Sequence, residues 1–227
     1  MKYCEIINLR HSTRSYDSFS LSQEHTDEIK KILKSTESLS CQRLDWRIEK
    51  IEQAASYQLF APVKEKNGIS FIEYGFQGEQ AVIGLTALDL GTCWKGYSNS
   101  FGAPCFIEFG KEKSNKKSLL IKTFTHNGVK KELKDLIMNG SAFLNNENTF
   151  LLNCCRMAPS AINRQPWSFD LLSEEKIKIT VPKAGNADTY SIDLGIVLAH
   201  FFLGCKDLGV SIKNTILSVN SCVFELN

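Results

Sequence analysis

The sequence is poor in the residues and motifs on which most enzymatic chemistries depend. Only four histidines occur in 227 residues, and there is no GxSxG, P-loop or strand-linked GxGxxG motif. The sequence therefore does not support a serine hydrolase, a phosphoryl-transfer enzyme or a Rossmann dinucleotide-binding protein. The eight cysteines include no CxxC pair and no Cys/His cluster at zinc-ligand spacing, so we expect no metal site. We expect them instead to be free thiols, mostly buried as small apolar side chains.

Charge of one sign and long apolar runs are also lacking. The 27 basic and 25 acidic residues give a formal net charge of +2, which leaves no broad basic face for nucleic acid or an anionic membrane. No apolar run approaches the roughly 18 residues of a membrane span, and the first residues do not resemble a signal peptide. A hydrophobic content of 43% is sufficient for a core. We therefore expect a cytoplasmic globular protein.

Periodicity predicts three helices. Ser20 resembles the first residue of a capping box, and apolar residues then recur at helical spacing over 21–36. Segments 75–90 and 193–208 are apolar on most sides, which indicates helices at the centre of the fold. His200, within the last segment, is expected to be a core histidine whose ring is hydrogen-bonded to neighbours.

Short apolar segments bounded by loops predict five strands. Their ranges are 46–51, 69–72, 104–109, 167–172 and 176–181. The last two are separated by three residues and are expected to pair. The segment 111–117, KEKSNKK, is the most polar in the chain and marks either a boundary or a solvated linker.

The two halves of the chain resemble each other weakly. QRLDWRI at 42–48 aligns with NRQPWSF at 163–169, and the DLG at 89–91 aligns with the DLG at 207–209. The offsets, 121 and 118 residues, agree within three. Chance matches are one explanation, and ancestral duplication is the one we favour. The halves, 1–112 and 113–227, would then pack as a pseudo-dimer that buries the two apolar helices against each other.

Three segments resemble hallmarks of the FMN-dependent nitroreductase family. They are RHSTRSYD at 10–17, GLTALDLGTCWKG at 84–96 and APSAINRQPWSF at 158–169. Each is weak alone, but the three together are specific, and the chain most resembles the single-chain TM-type branch. The resemblance implies an α+β nitroreductase-like fold: an internally duplicated pseudo-dimer with central antiparallel or mixed sheets flanked by helices.

The resemblance also implies one flavin site per chain. In homodimeric members, the arginine segment and the proline-bracketed loop of one site come from different subunits, whereas here they come from different halves. The loop's counterpart in the first half has Gln42, Leu44 and Asp45 where the loop has Asn163, Gln165 and Pro166. The region of the second half that should repeat the arginine segment, SAFLNNENTF, contains no arginine. The twin site is therefore expected to be lost.

Residue roles follow from the same resemblance. Arg10 would fork onto the FMN phosphate, His11 and Ser12 would donate to phosphate or ribityl oxygens, and Arg14 would meet the pyrimidine edge, where negative charge appears on reduction. The remaining cofactor-binding candidates are Gly91, Thr92, Trp94, Pro159, Ser160, Ala161, Asn163 and Gln165. Ordinary core packing is the alternative for Trp94. Lys111, Lys113, Lys116 and Lys117 are further phosphate candidates.

The implied activity is a ping-pong reaction in which NADH or NADPH reduces FMN and a nitroaromatic, quinone or similar acceptor reoxidises it. No catalytic side chain or metal is required. A more specialised flavin reaction is one alternative, and a flavin-storage protein or degenerate scaffold without turnover is another. A small-molecule acceptor is the expected partner, and the chain is expected to be a monomeric pseudo-dimer or a weak homodimer.

Overall fold

The structure is a computed structural model that describes residues 1–52, 54–96, 102–113, 129–183 and 187–227. The described residues before 114 form three helices and four strands: α1 (Tyr3–Leu9), α2 (Gln23–Ser35), β1 (Arg47–Lys50), β2 (Tyr57–Phe60), α3 (Gly68–Ala87), β3 (Gly91–Lys95) and β4 (Phe106–Gly110). The remainder contains α4 (Leu133–Leu136), β5 (Ile137–Asn139), α5 (Asn146–Arg156), β6 (Ser168–Leu171), β7 (Lys176–Thr180), α6 (Ala187–Leu208), β8 (Ile212–Ser218) and β9 (Ser221–Leu226). Single 3-10 turns occur at Ser141–Phe143 and Ala161–Asn163.

The strands form two sheets that share one topology. The first is antiparallel, in the order β1-β2-β4-β3. The second has the order β5-β6-β7-β9-β8 and is antiparallel except for β5, which pairs in parallel with β6. Apart from β5, the strands of each sheet come from the same order of elements along the chain: a helix, two strands, a helix and two strands. This combination of helices and sheets confirms the predicted α+β class.

The two long helices, α3 and α6, pack closely against each other at a pair of glycines. A Cβ at Gly75 would overlap the carbonyl of Ile192, and a Cβ at Gly195 would overlap the carbonyl of Ile72. Only glycine permits such an approach of two helix backbones. The two contacts repeat each other at a constant offset of 120 residues, as in an isologous dimer interface. The sequence prediction that the two apolar helices are buried against each other is confirmed.

Four of the five predicted strands are confirmed with small shifts of boundary. The pairing of β6 with β7 is also confirmed, since Ser168 lies opposite Thr180. The strand predicted at 69–72 is wrong: these residues form the first turns of α3, whose N-cap Asn67 accepts a hydrogen bond from the backbone N–H of Ser70 at 2.9 Å. The first predicted helix is correct, but its cap is Ser22, not Ser20.

The expectation that all eight cysteines are free is wrong for one pair. Cys4 in α1 and Cys154 in α5 form a disulfide across a Cα–Cα distance of 6.1 Å. Their separation of 150 residues offers no local spacing signal, because the fold alone brings α1 beside α5. The other six are free thiols, and all but Cys41 are buried.

Among the described residues, no helix combines the length and hydropathy needed to cross a membrane.

Candidate functional site

A cavity of about 650 Å³ lies between the segment that follows α1 and the loop that follows α5. The first segment contributes Arg10, Ser12 and Arg14 to its lining. The loop contributes Pro159, Ser160, Ala161 and Asn163, and Trp94 joins them from β3. Eight of the twelve predicted residues, from opposite ends of the chain, therefore surround one space.

The segment after α1 is held in place by β3. Ser12 forms a parallel bridge with Thr92, and the backbone N–H of Thr13 donates to the carbonyl of Thr92 at 2.9 Å. A Cβ at Gly91 would overlap the side chain of Thr13, so glycine allows the segment to lie close to the strand. Gly91 and Thr92 therefore lie outside the lining and support the residues that form it.

His11 also lies outside the lining. Its Nε2 lies 2.8 Å from a carboxylate oxygen of Glu112, which ties the segment to the residues after β4. Lys111 and Lys113 are exposed and absent from the cavity lining, while their backbones pair with residues 17 and 15. Lys116 and Lys117 lie outside the described residues.

Arg10 is the most buried cation of the cavity. Its side chain is 5% exposed, and its Nε has no hydrogen-bond partner in the part of the chain that the structure describes. Burial lowers its pKa, an effect opposed by the nearby charge of Glu79. A buried cationic group without full hydrogen bonding is unfavourable unless an anion completes its environment. This side chain is therefore available to an anionic ligand.

Lys130 is a second cation of the cavity, half-buried, and no sequence pattern singles it out. Its Nζ donates to the carbonyl of Ala158 at 2.6 Å at the start of the loop. Burial, reinforced by the charge of Arg10, lowers its pKa to about 8. Lys95 also lines the cavity, paired with Glu108 at 2.9 Å. With Arg10 and Arg14, four cations surround the space, and such a lining favours a polyanion.

The loop owes its shape to three residues with left-handed backbone. Ile162, Asn163 and Gln165 have φ values of 46°, 56° and 49°, in the left-handed region that Asn tolerates and a β-branched residue rarely adopts. The side chain of Ile162 is 81% exposed although it is apolar. Strained backbone of this kind accumulates at ligand sites, where the surrounding structure holds it.

Gln165 fixes the loop and does not line the cavity. Its buried carboxamide accepts from the backbone N–H of Lys131 at 2.8 Å and donates to the carbonyl of Val129 at 3.2 Å. Its own N–H donates to Ser160 Oγ at 2.8 Å. The residue was predicted to bind cofactor through its amide; the amide is instead engaged with protein.

A buried hydrogen-bond network lies behind Trp94. The indole Nε1 donates to Glu79 at 2.7 Å, and the other oxygen of Glu79 lies 3.0 Å from His200 Nε2. His200 Nδ1 donates to the carbonyl of Cys154 at 2.9 Å. The imidazole is fully buried with both nitrogens engaged, which confirms its prediction as a satisfied core histidine. The network links α3 and α6 to the disulfide.

Four further lining residues, Thr189, Ile192, Asp193 and Ile196, lie on one face of α6. Their spacing of three and four residues is that of a helical face. The sequence marks α6 as apolar nearly all round, so it does not distinguish the cavity side from the core side. Cys93 and Cys105 add buried thiols to the wall, and burial raises the pKa of Cys105.

In the corresponding region of the first half, polar side chains are hydrogen-bonded to one another and to the backbone. Cys41, at φ 61°, mirrors the left-handed Ile162 at an offset of 121 residues. Glu73 accepts from the backbone N–H and hydroxyl of Ser40 at 3.0 and 2.8 Å. Gln77 donates to the same carboxylate and to the carbonyl of Gln42, at 2.6 Å each. These groups are paired with one another, which leaves no buried donor or acceptor for a ligand among them.

The comparisons identify the family. The family model described as "Putative TM nitroreductase" matches residues 2–205. The chain belongs to this nitroreductase family. A solved structure of a nitroreductase from Thermotoga maritima is 26% identical and superposes with a TM-score of 0.80, covering 100% of this chain and 94% of that one. The nitroreductase fold predicted from the three motifs is thereby confirmed.

Other solved structures match about half of this chain. A Clostridium difficile protein described as an FMN-dependent nitroreductase is 16% identical, covers 52% of this chain and 94% of its own, and has a TM-score of 0.40. A Clostridium acetobutylicum protein described as an NADH oxidase is 18% identical, with 48% and 89% coverage and a TM-score of 0.39. No curated protein matches the chain.

Proposed function

We propose that this nitroreductase-family chain binds one FMN in the cavity and acts as an oxidoreductase, taking electrons from NADH or NADPH and passing them to a nitroaromatic, quinone or similar small acceptor. The observation that carries the proposal is Arg10, a buried guanidinium with an unpartnered Nε beside a cavity lined by three further cations. A phosphate dianion is the complement of that arrangement.

The residues present fit FMN. The cavity volume, about 650 Å³, lies within the range of roughly 300–1,000 Å³ that is typical of small-molecule and cofactor sites. The buried Arg10 and the half-buried Lys130 are available to a phosphate, and the exposed Arg14 is available to the ring edge that becomes anionic on reduction. Ala161 and Ser160 are small enough for close approach of a flat ring to the loop.

When bound, the flavin supplies hydride-transfer chemistry that no side chain of the protein provides. The residues of the chain bind it, orient it and control its surroundings. Trp94 is held by its hydrogen bond to Glu79, so its ring is a fixed wall. The loop is held by Gln165 and by Asp193, which accepts from the backbone N–H of Ala161 at 3.0 Å. This rigidity reduces the entropy lost on binding.

We also propose that the halves 1–112 and 113–227 arose by duplication. The matching strand orders and the constant offset of the two glycine contacts support this origin. The closed network around Glu73 supports the loss of the twin site. Two FMN per chain in a titration would contradict this part of the proposal.

The test is a flavin titration followed by reduction. The purified chain is expected to bind one FMN, absorb in the visible flavin bands and be bleached by NADH or NADPH without oxygen. A chain that binds no FMN would refute the proposal. A chain that binds FMN but is not bleached by either nucleotide would instead support the storage function, which the loss of one of two proposed ancestral sites favours as the second candidate.

A further inference from the structure

Asp193 is a buried carboxylate that the proposed function leaves unexplained. It lies on the cavity face of α6 and is only 2% exposed. One oxygen, Oδ1, accepts from the backbone N–H of Ala161. The other, Oδ2, is buried without a hydrogen-bond partner among the described residues. A buried carboxylate oxygen in this state is strongly unfavourable, so a donor is expected to reach it when the cavity is filled.

The first half of the chain has a carboxylate at the position equivalent to Asp193. Glu73 occupies the position 120 residues earlier on α3, at the same offset as the glycine contacts. Both of its oxygens are used: they accept from Leu39, Ser40 and Gln77. A carboxylate at this position can thus be satisfied entirely by protein. At Asp193 only the loop-side oxygen is satisfied in this way.

The polarity of the cavity indicates what Asp193 can bind. Asp193 is the single carboxylate in the described lining, which otherwise carries the four cations. The cations suit oxygens that accept hydrogen bonds, whereas an ionised carboxylate can only accept and therefore needs an N–H or O–H donor. A ligand with an anionic group and a separate donor would satisfy both.

We propose that Asp193 Oδ2 accepts a hydrogen bond from an N–H or O–H group of the ligand in the cavity and thereby fixes the orientation of that ligand. The inference rests on the proposed function: in FMN, the available donors are the imide N–H of the ring and the ribityl hydroxyls. The imide and the hydroxyls can each donate a hydrogen bond to the carboxylate. The experiment below distinguishes them by the choice of ligand.

The bond makes ligand affinity depend on pH. Burial raises the pKa of Asp193 to about 7, while the N–H of Ala161 and the charge of Arg164 oppose the shift. The Cys105 thiol also interacts with the carboxylate, and Arg10, Arg14, Lys95 and Lys130 face it within the same cavity. Below pH 7 the protonated carboxyl accepts poorly, so affinity is expected to fall as the pH falls.

The experiment measures Kd for riboflavin by quenching of flavin fluorescence between pH 7.5 and pH 6. Riboflavin is used because the FMN phosphate itself titrates near pH 6. The wild-type Kd is expected to rise roughly fivefold to tenfold over this range. Asp193→Asn keeps an oxygen for Ala161 but is neutral, and is expected to bind roughly tenfold more weakly at pH 7.5 with little pH dependence.

Glu73→Gln is the control variant, since it makes the same chemical change at the matched position away from the cavity. It is expected to lower thermal stability while leaving the riboflavin Kd and its pH profile unchanged. Lumiflavin, which keeps the imide but lacks the ribityl chain, separates the two donors. An Asp193→Asn effect that persists with lumiflavin assigns the imide, and one that disappears assigns a hydroxyl.

Asp193→Asn with the wild-type Kd and pH profile would overturn the inference. If that variant does not fold, the wild-type profile decides: a Kd that is constant from pH 7.5 to pH 6 overturns the inference, and a rise supports it. If the wild type binds neither riboflavin nor FMN, the proposed function fails, and this inference fails with it. Flavin binding that is insensitive to Asp193 overturns the inference alone.

Discussion

Replacing Arg10 with methionine separates what this residue does for binding from what it does for folding. The guanidinium is 5% exposed and its Nε has no partner within the described chain. Arg10→Met removes the charge and keeps an unbranched apolar side chain in the same space. The substitution therefore tests whether the buried charge serves the fold or a ligand.

The two effects are expected to have opposite signs. Removal of a buried cation that is incompletely hydrogen-bonded relieves its desolvation, and replacement of a whole buried ion pair by apolar side chains is often neutral or stabilising by about 1–4 kcal/mol. Attraction to Glu79 opposes this gain, so we expect about 0–2 kcal/mol of stabilisation. A forked pair of charge-assisted bonds to phosphate, at about 1.5–3 kcal/mol each, corresponds to at least a hundredfold loss of FMN affinity.

The assay combines urea unfolding of the ligand-free protein with FMN titration. Arg47→Met is the control, because Arg47 is exposed and its ion pair with Asp45, at 3.0 Å, lies at the surface, so this substitution should change both quantities little. If Arg10→Met lowers the free energy of unfolding by more than about 2 kcal/mol and binds FMN normally, Arg10 is a structural residue and the assignment of the phosphate site is wrong.

Three further results are expected. Cys4→Ser removes a crosslink between residues 150 apart and should lower the free energy of unfolding by about 3–5 kcal/mol; an unchanged urea midpoint would contradict the disulfide. Gly195→Ala drives a Cβ into the carbonyl of Ile72 and should cost about 2 kcal/mol or more, whereas Gly96→Ala, whose Cβ would meet no atom of the described residues within 4 Å, should be nearly neutral by the same measurement. The pKa of Lys130 is lowered to about 8 in the folded protein. The unfolded chain therefore binds more protons than the folded chain between about pH 8 and 10.4, and the free energy of unfolding should rise with pH in this range. Lys130→Met should flatten that rise in melting temperature, and an identical slope would show that Lys130 is not buried as a cation.

The sequence predicts those parts of the site whose residues are contiguous in the chain. The segment 10–17 and the loop 158–169 are recognisable as motifs from the order of their residues, and both contribute residues to the cavity. Lys130 and Asp193 carry no such signal, because their burial depends on how α6 and the chain before α4 pack. The sequence does not predict the disulfide, for the same reason.

The errors in the fold have equally physical causes. Residues 69–72 are apolar and bulky enough to resemble a strand, but they continue directly into a helical pattern capped by Asn67, and a short apolar run alone cannot distinguish the two. The strands predicted from the sequence do not include β3. Its residues acquire strand geometry from pairing with β4, with Gly91 opposite Gly110, which is a non-local contact.

The comparison of Glu73 with Asp193 indicates how a symmetric backbone can hold an asymmetric site. The crossing of α3 and α6 is symmetric, since the glycine contacts repeat at a constant offset, so these two carboxylates start from equivalent positions. Glutamate has one methylene more than aspartate and reaches the loop with both oxygens, as the contacts to Leu39 and Ser40 record. Aspartate reaches its loop with one oxygen, at Ala161, and leaves the other at the cavity wall. The carboxylate of Glu73 thus has both oxygens bonded to protein, whereas that of Asp193 keeps one oxygen without a partner among the described residues, on the same symmetric helix crossing.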